Sequence, residues 1–224
     1  MASSQPSRTS GAPLLKPSWE KTLSDATAAV TPARKLPTKR LTSTSQSGKP
    51  FTWLWAPDIT RMMSFKELER LADLAQGKRV LEIGSHLGVS TISLASTSKS
   101  LVSVDWHRGD TQTTGWGFTL GRHVLNLIRY DVLDKVCVVC ADGYEFGTFL
   151  ADESFDVAFI DGDHRYEKVC ENIDLFLPKV RRGGHITFHD YGVTDPPCGE
   201  KQAVDEYFGG PDDLVDTLAI VEVK

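Results

Sequence analysis

Along most of this chain, short runs of Val, Ile, Leu and Phe alternate with stretches in which apolar residues return every three or four positions. The short runs predict strands at Arg79–Ile83, Leu101–Asp105, Val136–Cys140, Val157–Asp161 and His185–His189. The longer period predicts helices near Val89–Ser96, Leu120–Tyr130, Tyr144–Leu150, Tyr166–Leu177 and Lys201–Phe208. An earlier helix has a clear start: Ser64 as N-cap, Glu67 three residues later as capping-box partner, and Met63 placed to staple onto Leu68. Gly77 is its natural stop. The run Asp216–Val223 predicts one last strand, antiparallel and near an edge. Strands this apolar have no wet face, so the alternation predicts a doubly wound α/β domain whose mainly parallel sheet is covered by helices on both sides. Ligands of such sheets bind at the carboxyl ends of the strands. No internal repeat interrupts the pattern.

Composition changes this picture at the amino terminus. The formal charge of -5 hides an asymmetry, because residues 1–50 carry eight Lys or Arg against two acids, with sixteen Ser or Thr and six Pro. So few apolar anchors cannot offset the entropy of ordering, and the segment is expected to be a mobile basic tail. A domain over residues 51–224 is expected to follow, opening on the aromatic stretch Phe51-Thr-Trp-Leu-Trp55. With 224 residues and 40% hydrophobic content, one good core is the expectation. No apolar run suits a membrane span or a secretory signal, so a soluble cytoplasmic protein is expected, or an organellar one if the Ser-rich basic tail is a transit peptide. Cys137, Cys140, Cys170 and Cys198 form no recognisable zinc knuckle and are expected as buried, reduced thiols.

The candidate chemistry gathers at the predicted strand ends. Leu81-Glu-Ile-Gly-Ser-His-Leu-Gly-Val-Ser90 places two glycines in a tight turn that opens onto a helix, where a ligand can approach the backbone without meeting a Cβ. The pattern lacks the third glycine of dinucleotide dehydrogenases and the Gly-Lys-Ser/Thr of a P-loop. The next strand ends at Asp105, a carboxylate able to accept both hydroxyls of a ribose. Asp142-Gly143 adds an acid and a flexible residue at the same edge, suited to an adenine amino group. The segments Phe155-Asp-Val-Ala-Phe-Ile-Asp-Gly-Asp-His-Arg-Tyr166 and His185-Ile-Thr-Phe-His-Asp-Tyr191 then bring Asp161, Asp163, His164, His189 and Asp190 to one rim. Carboxylates crowded there repel unless a cation or proton intervenes, and oxygen-rich ligation suits magnesium, manganese or calcium.

The spacing from Glu82-Ile-Gly84 through Ile160-Asp-Gly-Asp-His164 to His189-Asp-Tyr191 and Lys201-Gln-Ala-Val-Asp-Glu-Tyr-Phe208 resembles the methyltransferase 24 family of class I methyltransferases. At longer range it is similar to catechol and macrolide-sugar O-methyltransferases, over roughly residues 63–224. The resemblance implies a Rossmann-like sheet of six or seven strands with S-adenosylmethionine across its first strands. It implies that Glu82, Gly84, Ser85, Gly88 and Ser90 surround the methionine moiety, with Asp105 on the ribose, Trp106 beside the adenine, and Asp142 with Gly143 on its far side. Asp161 would border the cofactor and, with Asp190, match the metal ligands of metal-dependent relatives, magnesium being the expected ion. His189 stands where relatives often carry an acid and is the expected third ligand. Only one final strand is expected where relatives usually have two.

Methyl transfer from a sulfonium requires an in-line, at least partly deprotonated acceptor oxygen, and a metal on Asp161 and Asp190 could meet both needs. His164 or Asp163 is then the expected base, His164 preferred because its ordinary pKa lies nearer neutrality. Asp163 has a second reading as a helix cap. The acceptor is expected to be a small hydroxylated molecule: a sugar, a natural product or a catechol-like diol. A nucleic-acid-modifying methyltransferase using the basic tail is an alternative that the acidic body argues against, and a non-catalytic S-adenosylmethionine-binding protein is another. Thr194-Asp-Pro-Pro-Cys198 lies in the wrong place for the Asp-Pro-Pro-aromatic signature of DNA amino-methyltransferases, and is expected to be a loop over the acceptor site. A homodimer closing over the aromatic segment is also expected.

Overall fold

Strand alternation assigns each residue of the sheet to one of two helix layers, and the computed structural model shows how. It describes residues 40–44, 50–54, 59, 62–109, 117–194 and 197–224. β1 (Arg40–Thr44) and β2 (Pro50–Leu54) pair as an antiparallel ribbon that straddles the boundary expected at residue 50. The rest of the expected tail, residues 1–39 and 45–49, lies outside the described residues.

α1 (Phe65–Ala75), β3 (Arg79–Ile83), α2 (Val89–Thr97), β4 (Ser100–Asp105), α3 (Leu120–Arg129), β5 (Val136–Cys140), α4 (Gly143–Gly147), β6 (Phe155–Ile160), α5 (Tyr166–Phe176), β7 (Val180–Phe188), α6 (Glu200–Phe208), β8 (Asp213–Val215) and β9 (Leu218–Glu222) follow in order. They build one seven-stranded sheet in the order β5-β4-β3-β6-β7-β9-β8. Pairing is parallel from β5 through β7 and antiparallel for β7 with β9 and β9 with β8. On one face Val80, Leu101, Val157, Phe159 and Ile220 pack against Leu71 of α1, Leu94 of α2 and Leu127 of α3. On the other, Leu81, Ile83, Val104, Ile160 and Ile186 meet Ile173 and Phe176 of α5 and Val204 of α6. Both faces are dry, which is why the strands show no polar alternation.

The capping box of α1 is present in full: Glu67 N–H donates to Ser64 Oγ (3.2 Å) and Ser64 N–H to Glu67 Oε2 (2.6 Å). Gly77 follows the helix at φ +69°, the left-handed conformation that ends it.

Three expectations are corrected. β7 starts at Val180, not His185, because its pairing with β6 resumes across an irregularity at Arg181–Gly184. One final strand was expected and two are present: β9 lies within Asp216–Val223 as expected, and β8 precedes it, joined by a turn at Asp216 (φ +51°) that folds the two together. Cys137 and Cys140 are exposed, and Cys170 and Cys198 half-buried, because β5 is an edge strand and the later cysteines lie toward the rims of α5 and the loop before α6. No disulfide joins any of them. Among the described residues no helix is long and apolar enough to cross a membrane.

Candidate active site

The chain builds outward from β3 to β4 and β5, then crosses back to β6 on the other side, so the strand order reverses between β3 and β6. A crevice at such a switch point is where open α/β sheets take their ligands. Gly84 closes β3 at φ +86°, and a Cβ there would sit 1.9 Å from the carbonyl oxygen of Asp161 at the end of β6. The two strand ends therefore touch through backbone alone. Gly88, at φ +91°, serves as N-cap of α2. A cleft of about 590 Å³ lined by residues including Leu177, Pro178, Tyr207 and Phe208 lies at the opposite end of β7 and holds none of the site residues.

Beneath this turn two of the expected cofactor contacts are hydrogen-bonded to each other. Glu82 is fully buried and accepts hydrogen bonds from Ser90 Oγ (2.6 Å), Thr91 Oγ1 (2.6 Å) and Ser103 Oγ (2.7 Å). It faces α2, as alternation along β3 requires, so Glu82 braces the turn from below through Ser90 and Thr91. Burial pushes the Glu82 carboxyl up to about 7 despite the three hydroxyl donors, which pull it down. Ser85 remains in the turn, 4% exposed, its hydroxyl without a hydrogen-bond partner among the described residues.

Asp105 reaches back to the same turn. Its Oδ2 accepts the Ser85 and His86 amides (2.9 and 2.8 Å) and its Oδ1 the His107 amide (2.6 Å), so it fixes the turn and keeps acceptor capacity on Oδ1. Trp106 beside it is half exposed, with Nε1 donating to the Gly109 carbonyl (2.8 Å), which steadies the indole. Asp142 caps α4 by accepting the Glu145 amide (2.9 Å), and a Cβ on Gly143 would meet Ile83 Cγ2 at 2.9 Å. The exposed indole, the glycine cradle and the strand-end carboxylates fit an adenosyl cofactor.

The second half of the site is an acid–histidine rim at the ends of β6 and β7. His189 is 3% exposed and lies under the acids, its Nδ1 3.1 Å from Asp190 Oδ1 and 3.4 Å from Asp161 Oδ1, its Nε2 3.7 Å from Glu67 Oε2. Burial alone would lower its pKa, but the charge and hydrogen bonding of Asp161, with Asp190 and Glu67, raise it to about 12. His189 is thus a buried cation, with both ring nitrogens facing carboxylates. The expected third ligand pairs with the acids here, and the ligand atoms that lie within 4.8 Å of one another are those of Asp161, His164 and Asp190.

Glu67 is the partner that sequence reasoning missed. It was legible as a capping residue, yet it also accepts the Thr217 amide (2.8 Å) and hydroxyl (2.7 Å) from the turn between β8 and β9. Burial pushes its carboxyl up, but His189 and the Ser64 and Thr217 donors outweigh that and hold it at about 2. Nothing local in the sequence announces a contact 150 residues away.

His164 lies on the open side of the rim. Its Nδ1 is 2.7 Å from Glu200 Oε1 and its Nε2 3.6 Å from Asp190 Oδ2. Burial lowers its pKa, but the Glu200 bond and the charges of Asp161, Glu200 and Asp190 raise it to about 9. Nδ1 is thus held by Glu200, and Nε2 is the ring nitrogen that faces the rim. Asp163 is engaged elsewhere: its carboxylate pairs with the Arg165 guanidinium (2.5 Å) and accepts the Arg165 amide (3.1 Å), and its pKa is lowered chiefly by Arg165. It also makes no cap for α5, whose N-cap is Arg165. Ligand atoms of Asp161, His164 and Asp190 lie within 4.8 Å of one another, a donor set that could hold a cation. Asp190 takes φ +59° to reach this position, and contact with His189 holds its carboxyl low against the opposing effect of burial. The expected loop Thr194–Cys198 is described except for residues 195–196, with Thr194 bridging Pro197.

A third cluster supports the glycine turn from α3. The buried His107 and His123 rings lie 5.1 Å apart, and Gly88 has only 3.1 Å between a Cβ and His123 Nδ1. Burial drives the His123 pKa down to about 4, aided by His107. An unfolded chain, with an ordinary histidine near 6.5, then binds the proton more readily, so this contribution is complete above pH 6.5 and is lost as pH falls toward 4. Wild type is expected to lose about 2 kcal/mol more than His123→Leu between pH 7 and pH 5 in denaturant melts. The opposite-signed contribution of Glu82 is common to both proteins and cancels. Equal losses would show that His123 is not the titrating group.

Comparison with known proteins agrees with this geometry. Residues 81–191 match the methyltransferase 24 family, described as a methyltransferase domain. These residues are a methyltransferase domain of the class I, S-adenosylmethionine-dependent type. Among solved structures, the cofactor-bound Rv0187 from MTB superposes with TM-score 0.59 at 24% identity, covering 74% of this chain and 84% of that one. The O-methyltransferase TomG of Streptomyces achromogenes, in complex with SAM and involved in tomaymycin synthesis, superposes with TM-score 0.53 at 24% identity, covering 68% and 70%. An uncharacterized protein of Acanthamoeba polyphaga mimivirus is 47% identical over 36 residues, 16% of this chain and 16% of its own length.

Proposed function

We propose that this methyltransferase transfers the methyl group of S-adenosylmethionine to a hydroxyl oxygen of a small acceptor, a sugar, natural product or catechol-like diol, with a divalent ion at the Asp161–Asp190 rim. The observation that carries the reading is the convergence of Asp161, His164 and Asp190 within 4.8 Å beside the glycine turn. Cofactor and acceptor sites then adjoin at one switch point. The O-methyltransferase named in a structural neighbour supports the acceptor class.

S-adenosylmethionine, when bound, would supply a sulfonium methyl for the acceptor oxygen, leaving as S-adenosylhomocysteine while the hydroxyl proton passes to solvent. A divalent ion supplies acidity to the acceptor hydroxyl. Gly84 keeps the end of β3 open to the cofactor, and Asp105 and Trp106 hold its adenosine. Asp161 and Asp190 would hold the ion. His189 and Glu67 keep those carboxylates in place beneath. Acidity supplied in this way demands no strong protein base, in keeping with the engagement of Asp163 and His164.

Calorimetric titration with S-adenosylmethionine, followed by transfer assays on catechol and sugar diols with and without magnesium or manganese, tests the reading. Asp190→Asn is expected to bind the cofactor like wild type and to lose at least about 100-fold in transfer rate. Absence of cofactor binding in the wild type would overturn the reading. Transfer indifferent to chelator would remove the ion from it.

A further inference from the structure

We infer that His164 is the third ligand of the ion at this rim, that Glu200 is the residue positioning it, and that the site therefore takes a first-row transition ion in preference to magnesium. The inference rests on the reading that a divalent ion sits between Asp161 and Asp190. It departs from an oxygen-only site by adding one imidazole nitrogen.

The two nitrogens of His164 face different partners. Nδ1 is taken by Glu200 Oε1 at 2.7 Å, and Nε2 points across the rim to Asp190 Oδ2 at 3.6 Å, a separation of the size found between neighbouring ligands of one ion. It is His164, rather than the more deeply buried His189, whose ligand atom lies within 4.8 Å of those of both Asp161 and Asp190. A metal-bound histidine characteristically gives its other N–H to a carboxylate, which fixes the tautomer and raises its basicity. Glu200 occupies that place.

Glu200 is held there at some cost. It is 4% exposed, its carboxyl pushed up by burial, and its Oε2 has no hydrogen-bond partner among the described residues. A buried carboxylate with so few donors weakens a fold unless it serves something else. The backbone secures it: the Gly199 amide donates to the His164 carbonyl (2.7 Å), and a Cβ on Gly199 would lie 2.3 Å from Tyr166 Cα, so α6 begins pressed against the His164 loop. Two carboxylates and one imidazole favour manganese, iron, cobalt or zinc over magnesium, which prefers oxygen donors and retains its water.

Cobalt(II) and magnesium binding to the full chain, without cofactor, test this by calorimetry and visible absorption, with manganese(II) electron-spin-echo spectra for nitrogen coupling. Wild type is expected to bind cobalt at least about tenfold tighter than magnesium and to show one coordinated imidazole nitrogen. Glu200→Gln should weaken cobalt about 10–100-fold, with magnesium changed far less and S-adenosylmethionine affinity retained as a check of folding. The nitrogen signal in wild type needs no variant and stands if Glu200→Gln misfolds. Cobalt and magnesium bound equally, with no nitrogen coupling, would overturn the inference and leave an oxygen-only ion in place. A sulfur-to-cobalt band abolished by Cys198→Ser would also overturn it, placing the ion among His164, Cys198 and Glu200. No ion bound at all would remove both this inference and the metal part of the proposed function, while cofactor binding would still report on the methyltransferase itself.

Discussion

Gly84→Ala is expected to lower stability by about 2–5 kcal/mol and to weaken S-adenosylmethionine binding more than about 100-fold. Two costs coincide at this position. Its φ of +86° disfavours any Cβ, and the added carbon would lie 1.9 Å from a backbone oxygen that no rotamer change can move. Relief requires separating the ends of β3 and β6, which are joined by the Asp161 amide donating to the Ile83 carbonyl (2.8 Å). Gly77→Ala is the control, with φ +69° and no atom within 4 Å of its Cβ. It carries the conformational cost alone, about 1 kcal/mol. Denaturant melts and cofactor titrations of both variants decide the matter, and equal effects would show that the close approach of β3 to β6 is not what the glycine serves.

His189→Leu is expected to cost about 3–5 kcal/mol, because it leaves Glu67, Asp161 and Asp190 without their buried counter-charge. Leucine fills the space, so the loss is electrostatic and should depend on what else is present. A divalent cation should restore part of the stability of the variant and add less to the wild type. Glu67→Gln combined with His189→Leu should be less destabilised than the sum of the two single changes, since the pair is removed together. A variant as stable as wild type in chelator would show that the acids do not need His189.

The sheet was legible in the sequence wherever a strand is buried on both faces and bounded by turn residues. Arg79–Ile83 and Val136–Cys140 have the boundaries that their apolar runs predict. The capping box at Ser64 was equally plain, because all its parts lie within four residues. What the sequence concealed depends on register or on distance. The two Gly residues before His185 look like a stop, yet β7 runs through them because β6 supplies pairing on the far side of the irregularity. The turn at Asp216 and Thr217 is hidden within an apolar run, and only the antiparallel return of β9 exposes it.

In the site, the carboxylates and histidines could be gathered to one rim by topology, but their division of labour could not. Whether a histidine beside two acids is a base, a ligand or a cation depends on what lies behind it. For His189 that is Glu67, from the first helix of the sheet domain, and for His164 it is Glu200, from the last. Glu200 also begins α6 one residue before the position that helical spacing predicts, and the sequence offers only its place two residues after Cys198 as a signal. Glu82 misled for a related reason: its motif position suggests ligand contact, whereas strand alternation points it at α2.

The single carboxylate of Glu67 joins Ser64 at the start of α1, His189 under the rim and Thr217 in the hairpin of β8 and β9. A stress that peels the hairpin away from β7 would uncap the helix and remove the support of the rim acids in the same event. Trimming of that hairpin by a carboxypeptidase should therefore silence the enzyme before the parallel core of the sheet begins to melt.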